Sequence, residues 1–372
     1  MRKNLLLISA LLSSLVLCSG CFDESSDTRD IVVPATPLPN QGEIGIVPIN
    51  STYASKPSGL FFIPEEQALL VTAEGNPSAT AGEVWLAQKR DTSFSIRTLL
   101  NAPANYGKFT GNVYDEANNL LYVCSNPKNI QKSQPIVMVF DRLKSNRFSL
   151  VGSMTLNNNQ AGKTCANLTL INGYLFATNS TPKTPQDIAI FYANVSGTLP
   201  AKMEPLQTYS NLGYTAAMIQ PSPPLLTDIK PKVEQTVGQF GMWLLSDGTK
   251  KIIGLEFTLN GTIMIRVGKP KLMQPGGSPS SKKLLQAMVP YTDQFFLLID
   301  RDTLYRSHFD DKGKLIKTAR IAPLANSSSA MVLGKDRFGK TSLPVLFYLS
   351  APSGLKISNV VEFAFDPMNY TQ

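Results

Sequence analysis

The most constraining feature of the chain is a repeat of about fifty residues. Six short apolar runs each end in a small or polar residue: Ala68–Glu74, Leu120–Asn126, Tyr174–Asn179, Met242–Asp247, Gln294–Asp300 and Val345–Ser350. Their end points lie 52, 53, 68, 53 and 50 residues apart. Each run is followed, after a loop, by a second apolar run, such as Ile136–Asp141 or Asp187–Tyr192. Each is preceded by an apolar lead-in, such as Ser58–Ile63, Ala166–Leu170, Thr215–Ile219 or Ser329–Leu333. Turn residues separate lead-in from short run at Pro64-Glu-Glu, Asp115-Glu-Ala-Asn-Asn and Asn172-Gly173. A fourth strand is expected in several units, at Phe94–Arg97, Phe148–Val151 and Leu315-Ile316.

Three or four strands every fifty residues, six times over, predict an all-β, six-bladed β-propeller. One blade cannot bury both faces of its sheet, whereas six arranged radially bury each face against a neighbour. A seventh blade is expected if residues 220–240 or 258–283 hold one. A β-sandwich or two domains are the alternatives to a single ring. Gly45–Ile49 is not used by the first unit and is free to give the last blade an outer strand. The 68-residue interval holds Pro221–Lys232, a Pro-rich stretch that reads as a surface loop.

The chain has 372 residues, of which 43% are hydrophobic and 17% charged, enough apolar material for a large core. The first residues are of another kind. Arg2 and Lys3 precede Leu5–Leu17, an apolar run too short to span a bilayer, and Ser19-Gly20-Cys21 follows. This is a secretory signal whose end resembles the lipobox of bacterial lipoproteins, with Cys18 where leucine is usual. The resemblance implies a signal peptide over 1–20 and diacylation of Cys21. An ordinary cleaved signal with an incidental cysteine is the alternative. Phe22 follows Cys21 directly and Asp23 comes one later, a pattern that in such lipoproteins favours the outer membrane. Residues 21–42, with Asp23, Glu24, Asp27, Asp30, Pro34, Pro37 and Pro39 and no hydrophobic period, read as the lipidated cysteine and a flexible tether. Residues 43–372 are the propeller domain.

Composition narrows the chemistry. A single histidine, His308, excludes multi-histidine metal sites, and no GxSxG, GxGxxG or P-loop occurs. His308, before Asp310-Asp-Lys-Gly313, reads as a solvated residue of an outer strand. The ends of the short runs share one face of a propeller, so Glu74, Asn126, Asn179, Asp247 and Asp300 form a candidate ligand rim, although Asp and Asn also end strands simply because they make turns. Residues 226–283 hold nine basic residues against four acids, a surface for anionic headgroups or an acidic partner, or a solvated rim. Cys124 and Cys165 remain in the mature chain. Antiparallel strand order puts them at the same face of adjacent blades, and in an oxidising periplasm a disulfide is expected, with two buried free thiols as the alternative.

Pro57-Ser-Gly-Leu-Phe-Phe-Ile-Pro64, Leu120-Leu-Tyr-Val123 and Cys165-Ala-Asn-Leu-Thr-Leu170 with Tyr174-Leu-Phe-Ala-Thr-Asn179 resemble the gluconolactonase and senescence-marker-protein superfamily of six-bladed propellers. That resemblance implies an axial divalent metal, commonly Ca2+, and lactonase activity. Its metal-binding asparagine falls on Ala166, and Ser58-Gly59-Leu60 offers no early carboxylate. No catalytic residue, cofactor site or metal ligand is therefore assigned. The sequence favours a lipid-anchored, non-enzymatic binding or scaffold propeller of the cell envelope, with a protein partner and no nucleic acid. A metal-dependent lactonase or esterase using Glu74, Asp247 and Asp300 is the alternative.

Overall fold

The computed structural model describes residues 28–32, 42–49, 57–74, 82–90, 93–101, 107–143, 147–159, 162–180, 186–213, 218–222, 239–246, 251–273, 285–291, 295–300, 303–310, 312, 314–323, 330–334, 345–350 and 358–364. The signal segment, Cys21 and Asp247 lie outside them, as does much of the basic stretch 226–283.

The described residues form strands throughout. Two come before the repeats, β1 (Thr28–Val32) and β2 (Gly42–Ile49). Blade 1 is β3 (Pro57–Ile63), β4 (Ala68–Ala73), β5 (Glu83–Arg90) and β6 (Ser93–Asn101). Blade 2 is β7 (Lys108–Asp115), β8 (Leu120–Asn126), β9 (Ile136–Arg142) and β10 (Phe148–Leu156). Blade 3 is β11 (Thr164–Ile171), β12 (Tyr174–Ser180), β13 (Gln186–Asn194) and β14 (Lys202–Gly213). Blade 4 is β15 (Met218–Ser222), β16 (Gln239–Ser246), β17 (Lys251–Asn260) and β18 (Ile263–Met273). Blade 5 is β19 (Leu285–Pro290), β20 (Phe295–Asp300), β21 (Thr303–Phe309) and β22 (Leu315–Pro323). Blade 6 is β23 (Met331–Gly334), β24 (Val345–Ser350) and β25 (Ser358–Ala364), completed by β2.

Each blade is an antiparallel meander. The innermost strands touch in the closed cycle β3, β7, β11, β15, β19, β23 and back to β3. That cycle joins six innermost strands among the described residues, and Ile263–Met273 pairs with β17 as the outer strand of blade 4. The 8-stranded sheet is blades 2 and 3 joined by a short parallel pairing of β10 with β14 at Thr155↔Lys202 and Leu156↔Met203.

The second strands are buried along their length. β4 is buried at every position and β8 at all but its first. A sheet packed on both faces reads as a continuous apolar run rather than an alternation, which is why these runs mark the repeat. The core is correspondingly divided into wedges between blades, for example Leu70, Phe109 and Phe140 between blades 1 and 2. Between blades 6 and 1 the wedge holds Phe62 and Phe347, stacked at 5.3 Å.

β2 pairs antiparallel with β25 from Gly42↔Ala364 to Ile49↔Ser358. The last blade thus takes its outer strand from the N-terminal side, as the unused Gly45–Ile49 run suggested. Two expectations are corrected. Residues 28–32, read as tether, form β1 on the edge of blade 1, paired with β6 from Thr28↔Arg97 to Val32↔Ser93; an edge strand recruits a neighbour through its unpaired backbone, which needs no hydrophobic period. Pro221, read as part of a loop, lies in β15 opposite Met242. An innermost strand has one free edge, where the missing N–H of proline is tolerated.

Candidate functional site: the axial cavity

Four of the inner strands share a local irregularity. Register shifts leave Ser58 in β3, Thr110-Gly111 in β7, Ala166 in β11 and Gln286 in β19 bulged near the strand start. A bulge re-aims side chains, and here it brings inner strands of neighbouring blades into bonding contact. Ser58 donates to the Phe109 carbonyl at 2.8 Å, and Thr72 to that of Thr110 at 2.8 Å. Thr110 donates to the Cys165 carbonyl at 2.8 Å. Gly111 permits the approach, because a Cβ there would lie 2.6 Å from the Asn167 Cα.

Asn126 completes this bracket between blades 2 and 3. Its Nδ2 donates to the Cys165 carbonyl at 2.9 Å and to Thr110 Oγ1 at 3.1 Å, and its Oδ1 accepts from the Cys165 N–H at 2.8 Å. The structure joins Cys124 to Cys165 beside it, with Cα atoms 5.4 Å apart. Asn179 is likewise committed: it donates to Asn159 Oδ1 and accepts from the Ala189 N–H, at 2.8 and 2.7 Å. Glu74 lies 3.7 Å from the Lys108 ammonium group. Asp300 closes β20 opposite Leu285 and Thr303. The expected rim therefore places its two asparagines in the fabric of the blades rather than at a ligand surface. A strand-ending asparagine can satisfy the backbone of the next blade as readily as a turn.

The space on the axis is a cavity of about 350 Å³. Its wall comes from the inner strands of blades 1, 2, 3, 5 and 6, with Phe61, Val113, Leu168, Val289 and Met331 among the apolar residues. The polar members include Ser58, Asn112, Asp115, Glu116 and Asn167. Asn112 is 8% exposed; its Nδ2 donates to Thr72 Oγ1 at 3.2 Å and its Oδ1 has no partner. The Thr72 hydroxyl spends its single proton on Thr110, so it can only accept from Asn112, and this fixes which end of the amide is which. Asp115 accepts from the N–H and the Nδ2 of Asn118 in the tight turn after β7, where Asn119 takes φ 56°.

Beside this turn, Arg142 holds Glu66 of blade 1 through both guanidinium nitrogens, one of them at 2.8 Å, and lies over the Tyr114 ring. Glu66 keeps the Arg142 guanidinium firmly protonated. Burial, and then Glu65 and Glu66, push the Glu116 carboxyl above its ordinary range. His308 is not on an outer strand. It sits on β21, third in blade 5, stacked on Phe295 with ring centres 4.1 Å apart, and burial followed by Arg306 lowers its affinity for a proton.

An axial calcium ion requires six to eight oxygen ligands. Ala166 presents a methyl group where the superfamily's asparagine would stand, Ser58 is spent on a backbone carbonyl, and Asp115 and Glu116 lie toward the other end of the cavity. Among the described residues no three of Asp, Glu, His or Cys gather at one point. The donor set there does not fit the ion.

No protein-family model matches the chain, and no curated protein matches its sequence. Solved structures do match. The major allergen Mala s 1 of Malassezia sympodialis superposes with a TM-score of 0.53 at 11% identity, covering 90% of this chain and 99% of that one. The periplasmic gluconolactonase of Pseudomonas aeruginosa gives 0.50 at 12% identity, covering 84% and 89%. The sialidase of Trypanosoma rangeli gives 0.50 at 8%, covering 92% and 60%. These likenesses show the fold. The chain is an all-β propeller whose structural neighbours include a gluconolactonase.

Proposed function

We propose that the protein handles a small molecule in its axial cavity, the class of function expected of a gluconolactonase-like propeller, rather than serving as a scaffold that works through its outer faces. The carrying observation is the cavity itself. Its volume lies within the range of small-molecule sites, and its apolar wall with a few placed polar groups is the usual make-up of such a site. The fold shared with a periplasmic gluconolactonase supports lactone or ester hydrolysis as the reaction to test first. Because the axial donors do not fit calcium, no step is assigned to a metal. Cys21 lipidation and retention in the bacterial envelope, with the outer membrane favoured, belong to the same reading, since they give the propeller access to envelope or external solutes.

The test uses the mature protein with sugar lactones and aryl esters, with and without chelator. Turnover that is lost in Val332→Trp, a substitution on the cavity wall, supports hydrolysis. Binding without turnover keeps the small-molecule reading and removes the hydrolase. Neither binding nor turnover, together with an envelope protein captured on an outer face, returns the protein to the scaffold class. Cys21→Ser should release the protein from membranes, and continued membrane partition of that variant without a bound partner would refute lipidation at Cys21.

A further inference from the structure

The polar groups of the axial wall are unevenly committed. Ser58 has spent its proton, and the donor end of Asn112 is engaged by Thr72. The charged groups on the wall are of one sign: the carboxylates of Asp115, whose oxygens accept from Asn118, and of Glu116. No cationic side chain is part of the described wall. The nearby Arg142 does not compensate, because its guanidinium is clasped by Glu66. Glu65 adds to the negative field at this end, while the charge of Glu66 is balanced by Arg142; the raised proton affinity of Glu116 comes first from burial and then from these neighbouring carboxylates. Along β7, Asn112 and Asp115 are three residues apart, about 10 Å of extended chain, and the wall near them is made of Phe61, Val113 and Leu168.

We infer that the axial cavity takes an apolar-bodied organic cation, an amine whose hydrocarbon or aromatic body lies against Phe61, Leu168, Val289 and Met331 and whose ammonium group sits at the Asp115–Glu116 end, and that it turns away sugar acids and other anions. The inference rests on the small-molecule reading of the cavity and narrows it. A carboxylate product would be repelled by the same carboxylates that attract an ammonium group, so an acid-releasing hydrolase working on simple sugar lactones suits this wall poorly. An amine-bearing aromatic or alicyclic solute suits it well.

The experiment compares two probes with one ring system and opposite charge, 2-(aminomethyl)naphthalene and 2-naphthoate, by calorimetry on the mature protein at pH 7 and low salt. The amine should bind at least about tenfold more tightly, a gap that narrows as salt screens the field. Glu116→Gln should weaken the amine about threefold and strengthen the carboxylate, and the exposed Glu65→Gln should act in the same direction more weakly. Val332→Trp should remove binding of both. Equal affinities, or tighter binding of naphthoate, overturn the inference and leave the cavity as a small-molecule site. Failure of both probes to bind overturns the cavity reading and this inference with it.

Discussion

Replacing Asn126 by leucine separates a structural role from a ligand-binding one. Asn126 is 6% exposed and makes three hydrogen bonds to blade 3 and to Thr110. Leucine preserves most of its volume and none of its bonds. The Cys165 carbonyl keeps Thr110 as a donor, but the Cys165 N–H loses its Asn126 acceptor. A buried donor left unpaired costs about 1–3 kcal/mol, and each neutral bond lost costs about 1 kcal/mol more. The expected loss is about 3 kcal/mol, which for a domain of this size lowers the melting temperature by roughly 4 °C. Thermal unfolding followed by circular dichroism, with the Cys124–Cys165 bond intact in both proteins, measures it. A variant that melts within about 1 °C of the parent, yet no longer binds a ligand that the parent binds, would refute the structural assignment and restore Asn126 to a ligand rim.

Deleting residues 42–49 removes the outer strand of blade 6 and exposes the edge of β25; the melting temperature should fall by more than for Asn126→Leu, and an unchanged value refutes closure by β2. The Cys124–Cys165 pair spans 41 residues, for which the chain-entropy model gives roughly 4 kcal/mol; two free thiols in denatured, unreduced periplasmic protein would show that no bond forms. Because Glu116 holds its proton more tightly folded than unfolded, its ionisation subtracts stability above the ordinary carboxylate range; Glu116→Gln should therefore raise the melting temperature at pH 7, by an increment that vanishes below about pH 4. His308 is the opposite case among cations, with its proton held less tightly folded than unfolded; the parent should lose stability as pH falls below about 6.5, and His308→Gln should lose less in parallel urea titrations.

The strands that repeat in sequence are those whose side chains meet other blades. β4 and β8 are buried on both faces, so their apolar runs could be read directly. Outer strands carry weaker signals. β18 exposes Ile263 and Ile265 to solvent and β14 includes Glu204 and Pro205, and neither was identified as a strand beforehand. β1 could not have been identified from Thr-Arg-Asp-Ile-Val, because its pairing is a property of the β6 backbone. The site followed the same division. That short-run ends share a face follows from strand order, but the reach of Asn126 across to Cys165 depends on a bulge in β11 that no residue type announces. The cavity residues Phe61 and Leu168 lie in the lead-ins Ser58–Ile63 and Ala166–Leu170 and read as ordinary core. The available signal was their position, since the first strand of every unit must line the axis of a closed ring.

Cross-blade bonds hold blade 2 from both sides. On one side, Ser58, Thr72 and Asn112 tie β7 to blade 1, and Arg142 clasps Glu66 near the other end of the strand. On the opposite side, Thr110, Asn126 and the Cys124–Cys165 link tie blade 2 to β11. The acidic groups of the axial wall, Asp115 and Glu116, lie at the end of β7 and directly after it. Groups that must present fixed charge to a ligand are best carried by an element whose own position is over-determined. The polar and covalent pins around blade 2 therefore contribute to the axial site by holding its acceptors against one apolar wall, and weakening those pins should loosen ligand binding even where no ligand contact is removed.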